Sequence, residues 1–314
     1  MSTKLYIVIP CYNEESVLFE TFSRMDTLFD AMISYGKISQ DSKLVFIDDG
    51  SRDKTWNIIS SLSKNCERVY GIKLAKNCGH QNALLAGLME VKDLCDCCIS
   101  IDADLQDDIN AIPEFLTRFE EGCDVVYGIR KQRKSDTFFK RTTAHMFYKF
   151  MKLLGADVIE NHADYRLMSQ RALYALSEFP EVNLFLRGMV RLVGFKSGEV
   201  YYDRSPRFAG ETKYPLKKMI SFAFDGISSF SIKPIRLVWS LGVVVCIMAV
   251  IAAAYSVCSH FLWESVSGWT SLMISIWFIG GVQLISVGVI GEYIGKIYKE
   301  VKRRPRYIIE EKTK

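Results

Sequence analysis

A chain of 314 residues with 49% apolar side chains can bury one sizeable core and still has apolar sequence left over. Its net charge of +4 is modest and its bases gather near the apolar C-terminal region, which favours lipid phosphates over nucleic acid as partners. Nine cysteines do not imply a disulfide scaffold, because Cys95, Cys97 and Cys98 are too crowded for ordinary pairing and read as small buried hydrophobes.

In chain order, short strand-like runs alternate with amphipathic stretches. Strands are expected at Leu5 to Ile9, Lys43 to Ile47, Val69 to Leu74, Cys98 to Ile101 and Val125 to Tyr127. Helices are expected at Glu15 to Ile33, Thr55 to Leu62, Gln81 to Val91 and Asn110 to Phe119. The alternation predicts an α/β domain with a mostly parallel sheet, and such sheets bind ligands beyond the carboxyl ends of their strands. Each strand exit is polar in its own way. The first carries Pro10, Tyr12, Asn13 and Glu14, where the Tyr12 ring can stack on a base. The second carries Asp48-Asp49-Gly50-Ser51, in which a carboxylate can accept from a pyrimidine N–H and Gly50 permits a tight turn.

The fourth exit is the most informative: Asp102-Ala103-Asp104-Leu105-Gln106-Asp107-Asp108 follows the apolar run ending at Ile101. Asp102 and Asp104 present hard oxygen ligands suited to Mg²⁺ or Mn²⁺, ions that keep open positions for substrate phosphates. In isolation an Asp-x-Asp is an ordinary helix-capping turn. Its place in a series of polar strand exits is what makes a diphosphate the expected partner.

Toward the C-terminus, Leu237 to Phe261 has no acidic or basic side chain except His260, and Trp269 to Gly291 has none, so each can cross a bilayer, which takes ~20 residues. Bases flank both runs on the outside, from Lys213 to Arg236 before the first and from Lys296 to Arg306 after the second, whereas the connection carries Glu264 and no base. The positive-inside rule then puts both termini and the N-terminal domain in the cytoplasm, and no cleaved leader is expected. The expected organisation is a catalytic domain over 1–215, an interfacial amphipathic segment over 216–234, spans over 235–262 and 268–292, and a basic tail over 293–314. The stretch from Phe138 to Met151 is a second amphipathic candidate, or equally a core-packing helix with basic ends.

Val8-Ile9-Pro10-x-Tyr12-Asn13-Glu14-Glu15, Asp48-Asp49-Gly50-Ser51, Lys76-Asn77-x-Gly79-His80-Gln81-x-Ala83-Leu84 and Asp102-Ala103-Asp104-Leu105-Gln106-Asp107 together resemble the inverting GT-A glycosyltransferases of family 2. More narrowly, the chain is similar to polyprenyl-phosphate glycosyltransferases, the group that includes bactoprenol glucosyltransferases and dolichol-phosphate mannosyltransferase. The resemblance implies a GT-A nucleotide-sugar-binding domain with a two-helix transmembrane hairpin, in a bacterial plasma membrane. It implies a nucleotide-sugar pocket from Pro10, Tyr12, Glu14, Asp48, Asp49, Lys76 and Asp102, and a Mg²⁺ or Mn²⁺ cofactor on Asp102, Asp104 and Gln106.

His80 is either a contact to sugar or diphosphate or a structural hydrogen-bonding residue. Asp164, in Asp164-Tyr165-Arg166-Leu167, matches a family carboxylate assigned as general base; it can instead orient Arg166 or the sugar, since a phosphate monoester has a second pKa of ~6 and needs little deprotonation. Asp104 and Arg130 complete the expected catalytic set. Arg187, Arg204, Arg207 and Lys213 are expected at the acceptor phosphate, where a guanidinium donates two hydrogen bonds at once. The partners implied are a nucleotide sugar, UDP-glucose by preference, and polyprenyl phosphate; a homo-oligomer is allowed.

Three rivals remain, of which the serious one is a related transferase moving mannose, an N-acetylhexosamine or an aminopentose to the same lipid, separable only by donor profiling. Processive synthases carry Gln-x-x-Arg-Trp, and no Trp here follows an Arg. A noncatalytic nucleotide-sugar sensor would not need Asp102, Asp104 and Asp164 together.

Overall fold

In the computed structural model the described residues are 2–131, 162–182, 186–203, most of 235–251, and 268–313. The chain divides into two compact units, one made of 1–145, 158–216 and 304–314 and the other of 146–157 and 217–303.

The first unit is built on an eight-stranded mixed sheet in the order β7-β5-β6-β4-β1-β2-β3-β8. The strands are β1 (Leu5–Cys11), β2 (Lys43–Asp48), β3 (Val69–Leu74), β4 (Cys97–Ser100), β5 (Val125–Arg130), β6 (His162–Ser169), β7 (Ser197–Tyr202) and β8 (Ile309–Lys312). β1 to β4 are mutually parallel, and every residue of β1 and β4 is buried. That accounts for their unbroken apolar runs, since a parallel strand is covered on both faces. Helices α1 (Leu18–Ser34), α2 (Thr55–Asn65), α3 (His80–Val91) and α4 (Ile112–Glu120) follow β1 to β4, the last after a short 3₁₀ turn at Ile109–Ala111. Cys95, Cys97 and Cys98 are buried and free.

β6 breaks the parallel pattern. It runs antiparallel to both β4 and β5, with Ser100 opposite Arg166 and Cys97 opposite Ser169. Its amino end therefore lies beside the carboxyl end of β4, and Asp164 arrives next to the acidic loop. β5 and β7 are parallel to each other, with Arg130 opposite Tyr202. Two further helices, α5 (Gln170–Ser177) and α6 (Leu186–Leu192), lie between β6 and β7, and Ser169 caps the first by accepting from the Ala172 N–H.

The residues of the expected tail over 293–314 include a helix end and a strand. α7 (Trp269–Lys302) is one 34-residue helix and continues ten residues beyond the expected end of the span at 292. At ~1.5 Å per residue it is about 50 Å long, more than the ~30 Å of a hydrocarbon core. Its stretch Phe278–Lys302, mean hydropathy 1.5, is long and apolar enough to cross a membrane. It ends where Arg303 turns into the left-handed region at φ 45°, just before Pro305. Ile309–Lys312 then forms β8 against the outer edge of β3. Trp56 donates to Glu311 at 3.1 Å, Lys73 pairs with Glu310 at 3.1 Å, and the Arg306 guanidinium donates to the Phe179 carbonyl at 2.6 Å. The end of the chain is thus an edge strand that covers β3, a role its charged sequence does not advertise. The expected segments over 138–151 and 216–234 lie outside the described residues, as does much of the expected first span; its described positions are helical.

Helix α3 sits directly on the sheet at Gly87. A Cβ there would fall 2.5 Å from Val8 Cγ1 and 2.6 Å from Ile47 Cδ1. A Gly87→Val substitution gains at most ~1 kcal/mol of helix propensity but overpacks a closed core at a cost of ~1–3 kcal/mol. Net destabilisation is therefore expected in thermal unfolding of the detergent-solubilised protein; an unchanged melting temperature would contradict this packing.

Candidate active site

Three loops meet at the carboxyl ends of β1, β2 and β3 and fasten one another through side-chain-to-backbone hydrogen bonds. Asn13, held at φ 53°, accepts from the Arg52 N–H at 2.9 Å, while its own N–H reaches Ser51 Oγ at 3.0 Å. The Glu14 N–H donates to Thr55 Oγ1 at 3.0 Å. Asp49 accepts from the N–H groups of Cys78 (2.7 Å) and Gly79 (3.0 Å), which fixes the Lys76-containing loop. Gly50, at φ 64°, lets the two loops touch: a Cβ there would lie 2.6 Å from Asn77 N. Asp48 is fully buried, with one oxygen accepting from the Ser51 N–H at 3.2 Å and Oδ2 buried without a partner. Burial pushes the pKa of both Asp48 and Asp49 up. Pro10 lies in β1, and Tyr12 and Glu14 lie in the loop that these bonds tie to the residues after β2.

The second half of the site centres on Asp164. Arg166, the largest fully buried side chain, donates to its Oδ1 at 2.5 Å, and Arg187 from α6 forks onto both oxygens at 3.2 Å. His80, the first residue of α3, places Nε2 3.6 Å from Asp164 and 3.5 Å from Asp102. The backbone of Asp164 is held as well, because Ser100 Oγ donates to its carbonyl at 2.5 Å. α6 is anchored by the Leu186 N–H on Gln81 Oε1 at 2.9 Å, so the helix carrying Arg187 is tied to the helix carrying His80.

These charges set one another's protonation. Burial pushes Asp164 up, but Arg187, then His80 and Arg166, outweigh it and hold the carboxyl well below the usual range. Burial alone would lower His80; Asp164 and Asp102 reverse this and hold it at about 9, an imidazolium at neutral pH. Asp102 is raised to about 6 by burial and by the carboxylates of Asp107, Asp164 and Asp104, against the opposing pull of His80. Four carboxylates thus crowd one strand exit.

In the acidic loop, Leu105 takes φ 56° and Asp104 Oδ1 accepts from the Gln106 N–H at 3.2 Å. Among the described residues no three His, Cys, Asp or Glu side chains form a ready-made metal cage. Asp102 and Asp104 are two carboxylates at the cleft, not an all-protein site. Arg130, at the end of β5, donates to Asp107 Oδ1 and to Tyr202 Oη.

The structure therefore brings Asp48, Asp49, Lys76, His80, Asp102, Asp104, Arg130, Asp164 and Arg187 to one edge of the sheet. Arg204, Arg207 and Lys213 lie outside the described residues. Asp107 and Tyr202 were not singled out from sequence. Asp107 belongs to the acidic run but has no role assigned from sequence, and Tyr202 is found only through its register with Arg130.

Residues 6–177 match the model of glycosyl transferase family 2, and residues 233–297 match that of the GtrB C-terminal hairpin. The chain is 55% identical to an uncharacterized glycosyltransferase, YkoT, of Bacillus subtilis, over 98% of this chain and 91% of that protein. It is 38% identical to the prophage bactoprenol glucosyl transferase homolog of Escherichia coli K12, with 98% of each covered. It is also 38% identical to the bactoprenol glucosyl transferase of Shigella phage SfII, over 98% of this chain and 97% of that one. The chain belongs to glycosyl transferase family 2, with a GT-A catalytic fold and a membrane-associated C-terminal hairpin.

Removing the Asp164 charge strands Arg166 in the core. Asp164→Ala should lower stability by ~3–5 kcal/mol, the usual cost of breaking a buried pair from one side. Asp164→Ala combined with Arg166→Met should recover much of that loss in denaturant unfolding while leaving the enzyme inactive. Full stability of the single variant would show that Arg166 does not depend on Asp164.

Proposed function

We propose that the chain moves one sugar, glucose from UDP-glucose by preference, onto polyprenyl phosphate at the cytoplasmic face of a bacterial membrane. The observation that carries this reading is the Asp164 carboxylate bound by Arg166 and Arg187 and facing Asp102 across His80. Family membership and the bactoprenol glucosyl transferase relatives support the reaction class and the lipid acceptor.

In this reading a lipid phosphate oxygen attacks the anomeric carbon in line. The bond from that carbon to the nucleoside diphosphate breaks with its electron pair on the leaving group, so the anomeric configuration inverts and no sugar–enzyme bond forms. Asp48, Asp49 and Tyr12 receive the base, and the buried, unpartnered Oδ2 of Asp48 suits an N–H donor. Asp102 and Asp104, two carboxylates one residue apart at the strand exit, fit a divalent cation, and Mg²⁺ typically uses one or two protein carboxylates plus substrate phosphates. Asp102 and Asp104 would hold Mg²⁺ or Mn²⁺, which supplies charge neutralisation at the leaving diphosphate.

Asp164 is held as an anion by two guanidinium groups, which makes it a weak proton acceptor. Because the acceptor phosphate is already largely dianionic, Asp164 serves better as the anchor that aims Arg187. Arg187 and Arg130 then meet phosphate oxygens of the acceptor or donor, with Arg204, Arg207 and Lys213 adding positive charge from the adjoining sequence. The outward-flanking bases put both termini and the catalytic domain on the cytoplasmic side of a two-span hairpin. Transfer of mannose, an N-acetylhexosamine or an aminopentose uses the same residues and differs only at the sugar.

The test is turnover of the purified full chain with undecaprenyl phosphate, Mg²⁺ or Mn²⁺ and a panel of UDP- and GDP-sugars, read as nucleoside diphosphate release and lipid mass. One donor should yield a glycosyl phospholipid, with kcat reduced at least ~100-fold in Asp104→Ala, the scale of losing one preorganised electrostatic contact. Nucleotide-sugar binding without lipid-dependent turnover for every donor would instead favour a binding protein.

A further inference from the structure

Arg130 is held in an unusual way. Its Nε and Nη2 both donate to Asp107 Oδ1, at 3.3 and 3.1 Å, and Nε also donates to Tyr202 Oη at 3.2 Å. The Tyr202 hydroxyl donates to the same Asp107 oxygen at 2.7 Å. Three donors thus converge on Oδ1 while Oδ2 is buried with no partner. A guanidinium and a carboxylate that merely neutralise one another favour the two-bond fork, one nitrogen to each oxygen. Here that fork is forgone, and the guanidinium keeps a free edge while Asp107 itself is 3% exposed.

The pairing is built into the sheet. Arg130 and Tyr202 end adjacent parallel strands in direct register, and the Lys131 N–H continues the ladder onto the Tyr202 carbonyl at 2.9 Å. The Tyr202 ring packs edge-on against Tyr165, with centroids 5.2 Å apart, next to the Asp164 pair. Tyr202 stands two residues before Arg204.

We propose that Tyr202 and Asp107 are positioning residues for the transfer reaction: they clamp Arg130 so that its free edge faces the phosphate oxygens that it binds. This rests on the reading above, in which Arg130 meets donor or acceptor phosphate. A phenol that only fills the core would lose nothing on becoming phenylalanine, whereas a clamp would lose its charge-assisted hydrogen bonds.

The experiment uses the full chain in detergent with undecaprenyl phosphate and whichever nucleotide sugar turns over. Tyr202→Phe should cut kcat/KM roughly 10-fold, the scale of one hydrogen bond to a charged group, in a protein that stays folded because the ring is retained but melts somewhat lower because buried Asp107 loses a donor. In an Arg130→Ala background the same change should do almost nothing, since the residue being positioned is gone. If Arg130→Ala is impaired but Tyr202→Phe is fully active, or if the loss from Tyr202→Phe is the same in both backgrounds, the clamp is overturned and the transferase reading stands. Full activity of Arg130→Ala, or no turnover with any donor, removes the underlying reading and the clamp with it.

Discussion

The site depends on one reversal of direction. β6 runs against β4, so its first residues, not its last, lie at the edge where the parallel strands deliver their loops. A parallel strand in that place would carry Asp164 to the far end of the sheet, about 17 Å away at ~3.4 Å per residue. Because β6 is antiparallel, Asp164 meets Asp102 through His80 and can sit between Arg166 and Arg187. A buried arginine and a buried aspartate are each expensive alone, so each makes the other tolerable. The local charge pattern and the fold are therefore two descriptions of the same requirement.

That requirement also explains what could be read from sequence and what could not. β1 to β5 were legible because strands buried on both faces must be nearly continuous apolar runs, and Val69–Leu74 was placed to the residue. β6 was not assigned as a strand because its sequence holds Asp164 and Arg166, charges whose burial is acceptable only once paired. β7 is a short edge strand with alternating burial, and β8 is mostly charged, so neither shows an apolar run. The same charged composition makes the segment over 293–314 look like a basic tail. Its strand is held by hydrogen bonds to β3 and by ion pairs, and hydropathy does not register either.

The motif residues fared differently from their partnerships. Asp48, Asp49 and Asp102 are conspicuous as carboxylates at strand exits, and Asp164 through the match of Asp164-Tyr165-Arg166-Leu167 to a family motif. What they touch depended on register and loop closure: Asp49 uses both oxygens to hold the backbone of the next loop, a structural task compatible with lining a nucleotide pocket. Arg187, expected at the acceptor phosphate, is found gripping Asp164. Tyr202 carried no sequence signal at all, since one tyrosine at the end of a short strand is ordinary until its neighbour is known to be Arg130.

In the half of the site around Asp164, the charges nearly cancel. His80, Arg130, Arg166 and Arg187 are set against Asp102, Asp104, Asp107 and Asp164, all within one network of ion pairs and close approaches. A near-neutral site of this kind accepts a diphosphate together with a divalent cation without changing its balance, because the two bring opposite charge. An acceptor phosphate dianion does upset the balance, and the cleft itself has little positive charge left to meet it. In the reading proposed above, that deficit is what the basic run Arg204, Arg207 and Lys213 answers. The donor would then be received by a balanced site and the acceptor by an added one, so that productive charge complementarity is complete only when both substrates are bound.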